Sequence, residues 1–467
     1  MSERPTGEPS GKSMRKKATP VSAAVPGSPM NRRALLGRAA VVGAGLAVAA
    51  CAPAANVIAS LSPSPSPIPS PTVRKPVSIT FWYWADSPVI GTFFKTTIDN
   101  FNNSQKFVTV VAEVLPNTET GRQKLVATAV AGGGGPDVSY ANIAFLQPMY
   151  DAGIIQPVQD YFDKWSGKSD VPSDMVNVHR IKQEQPLLAM PIAVSAGMHY
   201  YRSDVYKAAG LKAPETFEQL VSNARALNDP PRRYGFGLRG IDANGFLFNF
   251  VNYLIGAGVT LTDNKGGTDL DSSATIDFAT GLLELYWQGI AQPSALQDAF
   301  AQMVAQFQSG KVAQWSAYLH HDVLLTGADK KFDDVVGATA WPLSAGKKGH
   351  VDVQSAAFIM LKASQQKDAA WEFIAALNEP SVVLDYYKIS GFLPVRSSVV
   401  QRPEVQADRF VQIATKSAPV LQAYPYSHKN WTAFSNTNGP QLWQRALQKD
   451  LAVKDLMGQL ATLMRQV

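Results

Sequence analysis

The 467-residue sequence offers four places where covalent or ionic chemistry could begin. Ala193-Val194-Ser195-Ala196-Gly197 sets a serine among small residues, as a nucleophile on a sharp strand-to-helix turn requires. Here alanine stands where the first glycine of such an elbow belongs, and strand-forming residues continue through Met198–Tyr201. No acid–histidine pairing is visible, so acyl transfer is not expected. His320 and His321 are adjacent, an arrangement that rarely aims both imidazoles at one metal, and no third ligand has suitable spacing. No metal site and no cofactor is expected. Gly132–Gly135 could cradle a phosphate, but no Lys-Ser/Thr follows and Pro136 blocks a following helix, so the glycines read as a tight turn. Cys51 is the only cysteine. It excludes an intramolecular disulfide framework and a cysteine-based zinc cluster.

The surroundings of Cys51 explain its presence. Val48-Ala49-Ala50-Cys51 resembles a bacterial lipobox: the thiol accepts a diacylglyceryl group, and small residues before it let a signal peptidase reach the bond. Upstream, Arg32 and Arg33 open a basic stretch leading into the apolar run Ala39–Ala50, the layout of a secretory signal. The paired arginines followed by leucines resemble a twin-arginine export signal. Met30 is an alternative start, since the signal is complete from there. Downstream, ten of the twelve residues of Ser60–Pro71 are Ser or Pro, a composition that favours an extended, unpacked chain. Residues 1–50 therefore read as a cleaved export signal and 51–76 as a lipidated cysteine with its tether. This places the body outside the cytoplasm, held at the outer face of the cytoplasmic membrane by lipid.

Charge supports that division. The chain carries 43 basic and 37 acidic residues, a net charge of +6 that on its face invites a polyanionic partner. Eight of the basic and two of the acidic residues lie within positions 1–50, so the remainder is formally neutral. Nucleic acid is not expected as a partner.

The body opens with the strand-like run Val77–Trp84, then apolar residues at three-and-four spacing from Ile90 to Phe101 that predict a helix. Phe107–Leu115 reads as strand, Gly121–Ala131 as helix and Pro136–Tyr140 as strand. Strands alternating with helices at this pace predict an α/β sheet. The C-terminal half is mostly helical, with helices expected over Ala295–Gln308, Lys367–Asn378 and Leu442–Met464.

Six stretches, in order, resemble the extracellular solute-binding proteins of carbohydrate ABC importers, the maltose-binding-like sugar binders. They are FWYWAD (Phe81–Asp86), AGGGGPDVSYAN (Ala131–Asn142), LLAMPIAVSAGMHYYRSDVYKAAGL (Leu187–Leu211), APETFEQL (Ala213–Leu220), FQSGKVAQW (Phe307–Trp315) and the pair AAWEFIAAL and GFLPVR (Ala369–Arg396). Two departures stand out: Tyr201-Arg202 where Tyr-Asn is usual, and Gln219 where Glu is common. The resemblance implies a two-lobed, type II periplasmic-binding-protein-like α/β fold with hinge crossings. Lobe one would comprise 77–190 plus 355–391, and lobe two 191–350 plus 392–467. It also implies a monomer that binds a sugar or oligosaccharide, without catalysis, and delivers it to permease subunits.

Site residues follow from strand ends and from that resemblance. Trp82 and Trp84 share a face of the first strand, and Trp84 stands at its C-terminal end, where α/β sheets bind ligands. Trp84 is thus expected to stack on a sugar ring, with Trp82 a second stacking candidate and Asp86 a hydroxyl acceptor. Tyr140 and Asn142 leave a second strand end, and Asn142 reads equally as a sugar contact or a helix N-cap. Relatives place a polar contact near Ser195, and reach an aromatic residue into the cleft near Trp315, Tyr318, His320 and His321. Trp431 is a further stacking candidate. Two rivals remain: a charged or phosphorylated solute, favoured if Arg202, Arg239 or Arg396 faced the cleft, and a cell-wall glycan enzyme, which needs two carboxylates flanking a cleft.

Overall fold

Seven β-branched or aromatic residues among the eight of Val77–Trp84 form strand β1, whose last four side chains are all buried. A strand buried on both faces needs covering layers on both sides. In this computed structural model, residues 74–465 are described except 86–87, 116–118, 132–134, 181–184, 264, 328–329, 348–350, 418–420 and 423. Arg32, Arg33, Cys51, the Ser/Pro tether, Asp86 and Gly132–Gly134 thus lie outside the described residues.

Helix α1 (Pro88–Ser104) places proline in its first turn and buries Ile90, Phe94, Ile98 and Phe101. Phe94 packs edge-on to Phe81, the ring centroids 5.6 Å apart. Strand β2 (Val108–Leu115) runs parallel to β1 from Val77↔Val108 to Trp84↔Leu115. Helix α2 (Glu119–Val130) follows, and strand β3 (Val138–Ala141) lies parallel on the other side of β1. Helix α3 (Ile143–Asp151) starts at Asn142 and leads to the short strand β4 (Ile155–Gln156).

Strand β5 (Met190–Arg202) is thirteen residues long, and its first eleven are buried. Strands β6 (Gln314–Tyr318), β7 (Val336–Ala340), β8 (Val351–Leu361), β9 (Leu393–Pro394) and β10 (Leu421–Gln422) complete the sheet. From Met190 to Ala196, β5 pairs antiparallel with β8; from Gly197 onward it pairs with β6 and, from Met198, with β7. A register shift between Pro191 and Ala193 accommodates the proline, which has no N–H to give. β9 pairs with β5 at Ala193 and Val194, so three distant segments meet at one place. The path through the sheet is β2-β1-β3-β8-β5-β6.

Buried side chains collect in separate groups. One core draws on residues from Ile79 to Val194 and from Val353 to Val411, another on Phe217 to Met464, and a third on Met198 to Ala414. Two expected helices are interrupted. In place of Ala295–Gln308, a short 3-10 turn (Pro293–Leu296) precedes a helix over Phe300–Gln308. Asp298 lies between them, its Oδ2 accepting from Gln292, Ser294 and Gln306, contacts a continuous helix would not offer. Leu442–Met464 is two helices, Asn438–Leu447 and Val453–Arg465, separated where Lys449 takes a left-handed φ of 66°. Among the described residues no helix is long and apolar enough to cross a membrane.

Candidate functional site

The ends of β1 and β3 carry aromatic rings that pack on one another. Trp84 meets Tyr140 edge-on at 5.3 Å and Phe145 at 5.9 Å. The Tyr140 hydroxyl lies 3.1 Å from that of Tyr386. Trp82 faces α2, where the Lys124 ammonium sits 5.0 Å from its ring centroid and also bonds Glu113. Both tryptophans are about 5% exposed, Trp84 5% and Trp82 6%. Asn142 caps α3, its Oδ1 accepting from the Ala144 amide at 3.0 Å.

Ser195 is fully buried in β5. Its Oγ accepts from the backbone N–H of His320 at 3.1 Å and lies 2.9 Å from His320 Nδ1. The His320 ring is sandwiched between Phe392 at 4.0 Å and Tyr318 at 5.5 Å, both 18° from parallel. Burial pulls the His320 pKa down to about 3, and burial followed by the neighbouring His320 and Arg239 pushes His321 well below its ordinary value. Both imidazoles are therefore neutral. They meet at 66°, and among the described residues no three His, Cys, Asp or Glu side chains converge to hold a metal.

Trp315 belongs to the third core, against Phe300. Tyr318 packs on Phe248 at 4.3 Å. Trp431 is 6% exposed and stacks between Tyr424 (5.1 Å) and Phe434 (5.5 Å), with Tyr426 edge-on at 5.7 Å. Of the three arginines that would draw an anion, each is bonded to a carboxylate: Arg202 to Asp204 through two nitrogens, Arg239 to Asp242, and Arg396 to Asp170 at 2.7 Å.

A cavity of ≈ 70 Å³ lies between two walls. One wall is Ile143, Leu146 and Gln147 of α3, with Val178 and Arg180; the other is Tyr424, Tyr426 and Ser427, which follow β10. The first wall starts at the C-terminal end of β3, the place where α/β sheets bind ligands. Gln147, Arg180, Tyr424 and Tyr426 were not among the residues singled out from sequence. The signal for the tyrosines was there, in the aromatic spacing Tyr424-Pro-Tyr426 ahead of Trp431; Gln147 and Arg180 carry no local signature. A larger cavity of ≈ 260 Å³, lined by Thr128, Pro136, Ile154 and Lys362 among others, sits where β3 begins, at the end of the parallel strands opposite to that expected of a ligand site.

The sequence pattern of the bacterial extracellular solute-binding proteins matches residues 84–383. The chain belongs to that family. A binding protein of Brucella abortus is 25% identical to this solute-binding protein over 337 residues, covering 70% of this chain and 77% of the relative. The mannitol-binding protein of Pseudomonas aeruginosa is 27% identical over 259 residues, 51% of this chain and 58% of that one. Among solved structures, an ABC transporter solute-binding protein of Thermotoga lettingae bound with α-D-tagatose matches with a TM-score of 0.73 at 19% identity, over 83% of this chain and 99% of the other. The fold is that of the type II periplasmic binding proteins.

Proposed function

We propose that this solute-binding protein receives a sugar or polyol outside the cytoplasm and delivers it to the permease of an ABC importer. The observation that carries the reading is the cavity where Gln147 and Arg180 face Tyr424 and Tyr426. It combines aromatic surface for the apolar face of a sugar with polar groups for its hydroxyls. The relatives that bind mannitol and tagatose support it.

In this reading the separate cores are two lobes, 77–190 plus 355–391 and 191–350 plus 392–467. β5, β8 and the segment around β9 are the crossings between them. Ligand bridging both walls shifts an open–closed equilibrium toward the closed form, which the permease recognises. Nothing in the process makes or breaks a covalent bond. Trp84, Trp82, Tyr140, Tyr318 and Trp431 then support the cleft walls. The leader with Arg32 and Arg33 exports the chain, and lipid on Cys51 tethers it as a monomer to the outer face of the membrane.

The three arginines named for the charged-solute reading, Arg202, Arg239 and Arg396, are each occupied by an aspartate, whereas Arg180 in the cavity has no ion pair among the described residues. The test is a thermal-shift screen of the purified full chain against sugars, polyols, sugar phosphates and polyamines. A sugar or polyol that raises Tm and is recovered unchanged supports the receptor. Turnover of the ligand, or a response to polyamines or sugar phosphates alone, overturns it.

A further inference from the structure

The turn after β6 sets the His320 ring between two rings of different cores. Phe392 lies on one face with centroids 4.0 Å apart, and Tyr318 on the other at 5.5 Å. Phe392 belongs to the first core and Tyr318 to the second. The imidazole is therefore the middle plate of a three-ring stack that joins one core to the other. Ser195 of β5 holds its Nδ1 edge at 2.9 Å. His321 brings a second imidazole to 4.2 Å from the first, and its own outer neighbour is Phe300 at 4.2 Å. The Nδ1 atom of His321 is buried without a hydrogen-bond partner.

Charged and titratable groups surround this stack on every packed element, and the acids among them are turned to other tasks. Arg239 acts on His321 and is paired with Asp242. Asp322, on the same turn, directs Oδ1 at Gly391, where a Cβ would stand 2.4 Å from it. Asp408 accepts from the Tyr387 hydroxyl at 2.6 Å. Tyr200, from β5, donates to the Tyr318 and Leu319 carbonyls. Burial alone lowers His320, to about 3, while burial, His320 and Arg239 together lower His321; no acidic group acts the other way.

An imidazole in water titrates near 6.5, whereas His320 within the stack stays neutral down to about 3. Parting the rings admits water, so parting takes up a proton in the interval between those values. Acid therefore favours the parted form. His320 alone moves that equilibrium about fourfold at pH 6 and roughly thirtyfold at pH 5, and has no such effect above pH 7.5.

We infer that the Phe392–His320–Tyr318 stack is a proton-sensitive latch between the lobes, closed at neutral pH and released in acid. This rests on reading the separate cores as two lobes. Acidification outside the cytoplasm then shifts the receptor toward its open form and weakens its hold on solute. His320 is a positioning residue here: it acts through closure of the lobes and touches no solute.

Distances between spin labels on the full chain test it, with the sole native cysteine removed by Cys51→Ser. Labels on cysteines replacing exposed Thr96 and Asp174 of lobe one, each paired with Lys207 of lobe two, report across the lobes. The Thr96–Asp174 pair is the control within one lobe. Between pH 7.5 and 5.0 both inter-lobe pairs are expected to gain a longer-distance population. The control pair should hold still, and near-UV circular dichroism should stay native. His320→Phe keeps a ring that takes no proton, and should reduce the acid shift in the open-to-closed ratio at least tenfold. His320→Gln, a smaller neutral replacement, should do the same if the ring exchange disturbs folding. Unchanged inter-lobe distances at pH 5.0 overturn the latch. So does a full acid response in folded H320F or H320Q. A control distance that changes as much as the inter-lobe pairs overturns the two-lobe reading itself.

Discussion

Ser195 Oγ lies 2.9 Å from His320 Nδ1, and the same oxygen accepts from the His320 amide. The pair has the composition of a nucleophile and its base but not the setting. Ser195 is fully buried within a strand, so no substrate carbonyl can approach it. Its place is structural: it ties β5, where that strand passes from β8 to β6, to the turn that follows β6. Ser195→Ala should cost about 1–2 kcal/mol of stability, and a double-mutant cycle with His320→Ala should return a coupling of about 1 kcal/mol. Urea denaturation measures both; additive losses would remove the link.

Gly391 closes the helix Pro380–Ser390 with a φ of 70°. A Cβ there would stand 2.4 Å from Asp322 Oδ1 and 3.1 Å from the His320 Cα. Gly391→Ala combines left-handed strain with this overlap and should cost roughly 2–4 kcal/mol. A melting temperature equal to wild type would show that the turn is free to move.

His199 and His179 join His320 and His321 as buried histidines that limit stability in acid. His199 sits in a satisfied network: Nε2 faces Gln314 Oε1 at 2.8 Å, and Nδ1 faces Ser316 Oγ at 2.9 Å, which in turn meets Tyr253. Burial lowers both His199 and His179 to about 4. The unfolded chain takes up these protons near 6.5 and the native protein does not, so stability falls as pH drops from about 6.5 to about 4. Each contributes on the order of 3 kcal/mol to that loss and none above the window. Urea midpoints at pH 7.5, 5.5 and 4.5 test it. His179→Met, which fills the site without titrating, should shallow the slope; an unchanged slope would contradict this assignment.

Trp84 and Tyr426 should separate folding from binding. Trp84 is 5% exposed against Tyr140 and Phe145, so Trp84→Ala should cost about 3–5 kcal/mol. Tyr426 lines the cavity and is only partly buried. Tyr426→Ala should cost little stability and roughly tenfold in ligand affinity. Denaturation and titration of both variants check this, and a reversed pattern would make Trp84 the stacking platform.

The first strand, helix and strand of the body were legible because a run of β-branched and aromatic residues and a 3.6-residue periodicity persist over long stretches, as at Val77–Trp84 and Ile90–Phe101. The breaks at Asp298 and Lys449 were not, since apolar spacing carries on across them and only distant partners interrupt the helix. Asn142 shows the limit at a single residue. Its type suits a cap or a ligand equally, and the Ala144 amide decides.

By itself the sequence determined the neutral charge balance beyond residue 50, the lone cysteine and the order of motifs that marks the family. These depend on residue types and short spacings alone. Tertiary structure decided which side chains share a cavity. Gln147, Arg180 and Tyr426 are separated along the chain, and the elements ahead of Gln147 and Tyr426, β3 and β10, are brought together by pairing with β8. It also neutralised Arg202, Arg239 and Arg396 by setting an aspartate beside each. A ligand is recognised by groups converging in space, and convergence across hundreds of residues leaves no periodic trace to read.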